Sequence, residues 1–99
     1  MFVVVSTYRA KANEEDAVIA LHEDWQHNQG TKARNNFSWE LLRNIDAPRE
    51  FISIAHFASK ELAQAAAELL KQDAWYGRLV SLLEEEPRWT DCRRVWQGP

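Results

Sequence analysis

Cysteine is nearly missing from this chain. Cys92 stands alone, so no intrachain disulfide framework is available, and a reducing compartment is the simpler setting. Glycine is scarce, and its three positions, Gly30, Gly77 and Gly98, are too scattered to build a phosphate-cradling loop. There is no Cys-x-x-Cys pair and no Gly-x-Ser-x-Gly nucleophile elbow. No apolar run approaches the length of a membrane span, and the opening "MFVVV" lacks the basic flank of a signal peptide. A cytoplasmic protein with no membrane partner is the expectation. Basic excess is also lacking. Twelve Lys and Arg face fifteen Asp and Glu, a net charge of −3 that gives nucleic acid no electrostatic footprint.

What is present is tryptophan, five in 99 residues, each of which must find cover or mark a binding surface. Hydrophobic residues make up 45% and charged residues 27%, the balance of a globular chain, and the length suits one domain over residues 1–99. A chain this short buries only part of its apolar surface, so a partner subunit would help it.

Residues 2–11, "FVVVSTYRAK", are β-branched and aromatic and read as a strand. Asn13 looks like a helix cap, with Glu14, Glu15 and Asp16 in the first turn where the helix dipole favours them. Val18, Leu21 and Trp25 then share one helix face, and Gly30 ends the helix. "FSWELLRN" and "EFISIAHF" form a hairpin across the turn material "NIDAPR". Ser59 caps "KELAQAAAELLKQ", a strong helix by propensity. Asp73 caps a further helical piece carrying Trp75, Leu79, Leu82 and Leu83 on one face, and Pro87 stops it before the last strand, "RWTDCRRVW".

The order strand, helix, strand, strand, helix, strand predicts an α+β, ferredoxin-like βαββαβ fold: an antiparallel sheet with helices on one face. In the third strand Ile52, Ile54 and His56 point one way while Phe51, Ser53, Ala55 and Phe57 point the other. Both sets are largely apolar and helices cover only one. The other set is therefore expected to meet the sheet of an identical subunit, making a homodimer.

"HEDWQH" at 22–27 resembles a zinc-protease helix, but its histidines are five apart rather than four. That sets them about 140° apart around a helix, so two solvated or half-exposed histidines is the better account and no metal is expected. The same strand order serves the RNA-recognition motif, whose third strand needs a glycine and a platform of aromatics. "REFISIAH" offers Phe51 but fails at Glu50, Ile52, Ser53 and His56, which argues against RNA. Arg88, Arg93 and Arg94, interleaved with Trp89 and Trp96, are expected to neutralise the nearby "EEE" at 84–86. Cys92 reads as an inert small residue in a strand.

His56 has two readings. A lone histidine on an apolar strand face is more often structural than catalytic, yet a neutral imidazole in an apolar pocket suits a general base near pH 7. Trp25, Trp75 and Tyr76, reaching the sheet from the helices, would line a cavity for a flat ligand or simply form core.

The order of elements, the length and the stretch "HFASKELAQA" together resemble the antibiotic biosynthesis monooxygenase family of dimeric α+β barrels. That family ends its third strand on tryptophan and opens the next helix with a Ser and Glu/Ala pattern; Phe57, Ser59, Glu61 and Ala63 occupy that region here. "KQDAWYGRL" also looks like the family's short interruption before its last helical turns. The resemblance implies a homodimer whose sheets face each other, with a cleft between sheet and helices in each subunit. It also implies oxidation of a small aromatic or quinone-like substrate by molecular oxygen, with no metal, flavin or other cofactor. The family's strand asparagine and tryptophan are replaced by Ser53 and Phe57, a later aromatic by Ala63, and a late-helix arginine finds an approximate counterpart in Arg78. Haem degradation is not expected, since the first strand has no asparagine and the late helix no histidine.

On this resemblance His56 is the base, assisted by Ser53, Tyr8 or Arg78, and Trp25, Trp75 and Tyr76 hold the substrate. Strand neighbours face opposite ways, so Ser53 and His56 share a cleft only across a bulge. The alternative is a non-catalytic dimeric module that binds a small molecule, or serves only as structure.

Overall fold

In a computed structural model of the chain, residues 1–28 and 37–99 are described. The predicted helix stop at Gly30 and the loop "TKARNN" lie outside them. The β-branched run at the start forms strand β1 (Phe2–Arg9), which leaves the sheet through a turn whose Asn13 takes a left-handed backbone, φ 68°. Asparagine tolerates that conformation better than most residues. Asn13 therefore shapes the turn, and helix α1 (Glu15–Asn28) opens two residues later with Glu15 and Asp16 in its first turn.

Strands β2 (Phe37–Arg43) and β3 (Glu50–Phe57) form the predicted hairpin. Its turn is held by Asn44, whose Oδ1 accepts from the backbone N–H groups of Asp46 at 2.9 Å and Ala47 at 3.2 Å. Helix α2 (Lys60–Gln72) starts where the Ser59 side chain accepts from the Leu62 N–H. Asp73 ends α2 with an extended backbone, and its carboxylate accepts from the Trp75 N–H at 2.8 Å to start helix α3 (Ala74–Ser81). One residue thus serves as stop and start. Strand β4 (Arg88–Arg93) closes the order and ends before Val95 and Trp96, which are exposed.

The four strands lie in the order β2-β3-β1-β4, all neighbours antiparallel, which is the ferredoxin-like arrangement. Register and alternation divide the sheet into two faces. Phe2, Val4, Ser6 and Tyr8 of β1 lie opposite Phe57, Ala55, Ser53 and Phe51 of β3 on the helix-covered face. There Tyr8, Phe51, Val18, Leu21, Trp25, Trp75, Leu79 and Leu83 form the main core. The other face carries Val3, Val5 and Thr7 beside His56, Ile54 and Ile52, with no helix over it among the described residues. Ile52 and Leu42 on that face are 37% and 43% exposed.

Among the described residues, Glu84 and Arg94 do not pair with each other as expected. Glu84 pairs with Arg49, and Arg94 reaches the Gln97 side chain at 2.9 Å and the His56 ring at 3.4 Å. The reason is direction: β4 runs away from the acidic turn, carrying Arg93 and Arg94 to the far end of the sheet beside Phe2 and Met1.

Candidate functional site

Small residues at the centre of the covered face leave room. Ala55 on β3 and Ala63, Ala66 and Ala67 on α2 face one another across the layer, and a cavity of about 320 Å³ opens between them. Phe2, Val4 and Phe57 complete its floor, and Trp25, Trp39, Tyr76 and Trp89 stand around it. Its polar groups are few: Gln64 and Lys71 from α2 and Asp91 from β4. The volume lies at the lower end for small-molecule sites, and an apolar wall with a few polar groups is their usual make-up. Flat aromatic or conjugated molecules suit such walls, because ring faces and edges offer stacked and tilted contacts.

The aromatic wall is backed by a buried polar cluster. The Trp39 indole donates to Ser53 Oγ at 2.6 Å, and the Trp75 indole donates to the Leu21 carbonyl at 2.6 Å. His22 sits among three rings, with centroids 5.6 Å from Tyr8, 5.2 Å from Trp39 and 5.1 Å from Trp75. Its Nδ1 lies 2.8 Å from the Val18 carbonyl, which can only accept, so Nδ1 carries the proton. Nε2 is then an acceptor, and the Tyr8 hydroxyl, 3.3 Å away, donates to it. Burial lowers the His22 pKa, and the Val18 hydrogen bond opposes this in part. Burial likewise pushes the Tyr8 phenol up to about 12, against the hydroxyls of Ser53 and Ser6, which favour its ionised form. Both groups are therefore neutral near pH 7. Ser6 is fully buried beside Tyr8, and its Oγ makes no hydrogen bond of normal geometry.

The structure distributes the residues singled out in the sequence over three places. Trp25 and Tyr76 line the cavity. Tyr8, Ser53 and Trp75 are 3%, 1% and 1% exposed and belong to the buried cluster behind it. His56 and Arg78 are elsewhere: His56 lies on the uncovered face, level with Val3 and Ser38, and Arg78 pairs with Asp24 at the surface at 3.2 Å. No bulge interrupts the register of β3, so Ser53 and His56 stay on opposite faces. Of the two expected settings for His22, solvated or half-exposed, the structure gives the second. It is half-buried within the aromatic cluster, because β2 places Trp39 against it. The His27 side chain lies outside the described residues. Trp39, Trp89, Gln64, Lys71 and Asp91 were not singled out as site residues. Alternation in "FSWELLR" and "RWTDCR" marks the first two and Asp91 as sharing a face, but only the strand order puts both edges over one cavity.

Among the described residues, no cluster of three or more His, Cys, Asp or Glu is placed to hold a metal ion, and no helix is long and apolar enough to cross a membrane.

A four-stranded antiparallel sheet with helices on one face and a ligand-sized aromatic cavity between them defines an α+β protein of the ferredoxin-like class. Its fold is shared with solved structures described as antibiotic biosynthesis monooxygenases. One, from Nitrosomonas europaea and provisionally so described, superposes with a TM-score of 0.81 at 17% identity, over 97% of this chain and 100% of its own. Another with the same provisional description, from Bordetella bronchiseptica, gives 0.76 at 14% identity, over 96% and 97%. A NIPSNAP family protein from Agrobacterium tumefaciens gives 0.75 at 16% identity, over 99% and 96%. No family model and no curated protein matches the sequence. At these identities the likeness is one of fold.

Proposed function

We propose that this protein binds a flat, largely apolar small molecule in the cavity between its sheet and α2. The observation that carries the reading is the wall itself: four aromatic side chains, Trp25, Trp39, Tyr76 and Trp89, around about 320 Å³, with Gln64, Lys71 and Asp91 as polar contacts. A second copy of the chain covers the open face, burying Val3, Val5, Ile52 and Ile54 and leaving the cavity on the other side free.

The second reading is cofactor-free oxygenation of a quinol or similar aromatic, and the fold shared with proteins described as antibiotic biosynthesis monooxygenases favours it. That chemistry needs an electron-rich anion to be formed and held. Lys71 stands at the cavity as a cation for such an anion, whereas His56 is separated from it by the sheet. Oxygenation here therefore does not use His56 as its base. Calorimetric titration with 2-naphthoate tests the binding reading, and oxygen uptake with 1,4-naphthohydroquinone, corrected for autoxidation, tests the catalytic one. Saturable binding without uptake above the blank leaves the protein a binding module. Uptake that persists in His56→Ala and falls in Lys71→Ala supports catalysis at the cavity. Neither binding nor uptake contradicts both readings.

A further inference from the structure

The buried cluster holds one acceptor more than it uses. Tyr8 Oη donates to His22 Nε2, Ser53 Oγ already accepts from the Trp39 indole, and Ser6 Oγ, fully buried on the same strand face and near enough to favour the ionised Tyr8 phenol, makes no hydrogen bond of normal geometry. An idle buried hydroxyl is costly if the neutral arrangement is the only one. It is accounted for if a second arrangement uses it.

We infer that His22, Tyr8 and Ser6 form a two-position proton switch behind the cavity wall. The phenol donates to His22 Nε2 when the imidazole is neutral and turns to donate to Ser6 Oγ when the imidazole is charged. The proton balance is simple. A proton from solvent binds Nε2, which becomes a donor to Tyr8 Oη; the Tyr8 proton stays on its oxygen and changes acceptor. His22 Nδ1 keeps its bond to the Val18 carbonyl throughout.

Few titratable groups surround this pair. From β1 the titratable neighbour is Tyr8; β2 and α3 present the rings of Trp39 and Trp75, and α3 also brings Tyr76, whose charge would disfavour ionisation of the Tyr8 phenol; β3 contributes Ser53 to the same cluster. On α1 itself, Asp24 is engaged with Arg78 at the surface, and no charged side chain contributes to the lowering of the His22 pKa. The switch faces the ligand because Trp39 is at once the ring packed on His22 and a wall of the cavity. A charged imidazole behind that wall favours an anion in front of it. This consequence rests on the ligand-site reading; the switch does not.

The test is an NMR titration of the histidine rings, with the His22 signal assigned by its loss in His22→Gln. At high pH the wild-type ring should show the Nδ1–H tautomer. Ser6→Ala should reduce the proton affinity of His22 about fivefold, the worth of one lost hydrogen bond to the charged state. Ser53→Ala should reduce it less. Tyr8→Phe, which removes both positions, should reduce it at least as far as Ser6→Ala and gives the answer if the latter fails to fold. An unchanged His22 titration in the folded variants, or a larger drop in Ser53→Ala than in Ser6→Ala, overturns the switch. In a separate arm, 2-naphthoate should bind wild type about threefold more tightly as pH falls from about 8 to about 5.5, and His22→Gln should lose that gain. Binding without that gain rejects the coupling to the ligand. No binding at any pH rejects the ligand site, while the ring titration still decides the switch.

Discussion

The two faces of this sheet are made from alternate residues of the same strands and differ in nearly everything else. In β3, Phe51, Ser53, Ala55 and Phe57 are all buried, against helices and an aromatic-walled cavity, while Ile52 is exposed and Ile54 and His56 are half-buried with no helix over them among the described residues. On the covered face two polar pairs are tied by hydrogen bonds, Ser53 to Trp39 and Tyr8 to His22, with Ser6 buried beside them. The open face has β-branched apolar residues in register, Val3 beside His56 and Val5 beside Ile54. On the proposed reading one face holds something small and the other meets something flat. Three residues of separation, from Ser53 to His56, are enough to move a side chain from the first task to the second.

The largest expected effect breaks the open face. Ile54→Lys places a charge at the centre of the surface where a second copy is proposed to sit, directly beside Val5 and Glu40. In the dimer two such lysines are buried together, at a cost of about 3 kcal/mol or more. Sedimentation should show dimeric wild type and monomeric variant at the same concentration. A wild type that is monomeric at micromolar concentration contradicts the assignment of that face.

A smaller effect sharpens the covered face through pH. The His22 pKa in the folded chain lies below its ordinary value of 6.5, mainly because of burial. Between the two values the unfolded chain binds more protons than the folded one, so this residue makes stability rise with pH. Its contribution is complete above about pH 6.5 and is lost as pH falls through the folded-state value. Urea unfolding of His22→Gln against wild type should show a shallower loss of stability on the acid side in the variant. Equal slopes would mean that His22 is as accessible to protons folded as unfolded.

The smallest effect lies at the surface. Arg78 meets Asp24 with a side chain that is 60% exposed, so Arg78→Ala should change stability by no more than about 0.5 kcal/mol and leave 2-naphthoate binding intact. A large loss of binding in Arg78→Ala would bring that residue back to the site.

Much of the fold is legible in the sequence because local chemistry agrees with it. Ser59 and Asp73 are caps in sequence and in structure, and the period of "EFISIAHF" alone assigns its two faces. The site is legible only in part. Trp25 and Tyr76 stand out as aromatics on amphipathic helices, but Trp39 and Trp89 belong to β2 and β4, the two edges of the sheet. Their place over one cavity depends on strand order and on the small side chains of Ala55, Ala63, Ala66 and Ala67 between them. His22 shows the same limit. On its helix it flanks the apolar stripe, and only the arrival of Tyr8, Trp39 and Trp75 makes it a half-buried, neutral, hydrogen-bonded ring.

The central claim is that ligand binding belongs to the covered face and not to His56. Calorimetric titration of 2-naphthoate into wild type, Ala55→Phe and His56→Ala tests it most directly. Ala55 is at the cavity floor, level with Trp39 and Val4, so a phenyl ring there fills the space a ligand needs, while His56 points away from it. The account predicts that Ala55→Phe, still folded, loses binding and that His56→Ala binds as wild type does. Binding retained in Ala55→Phe and lost in His56→Ala would contradict it.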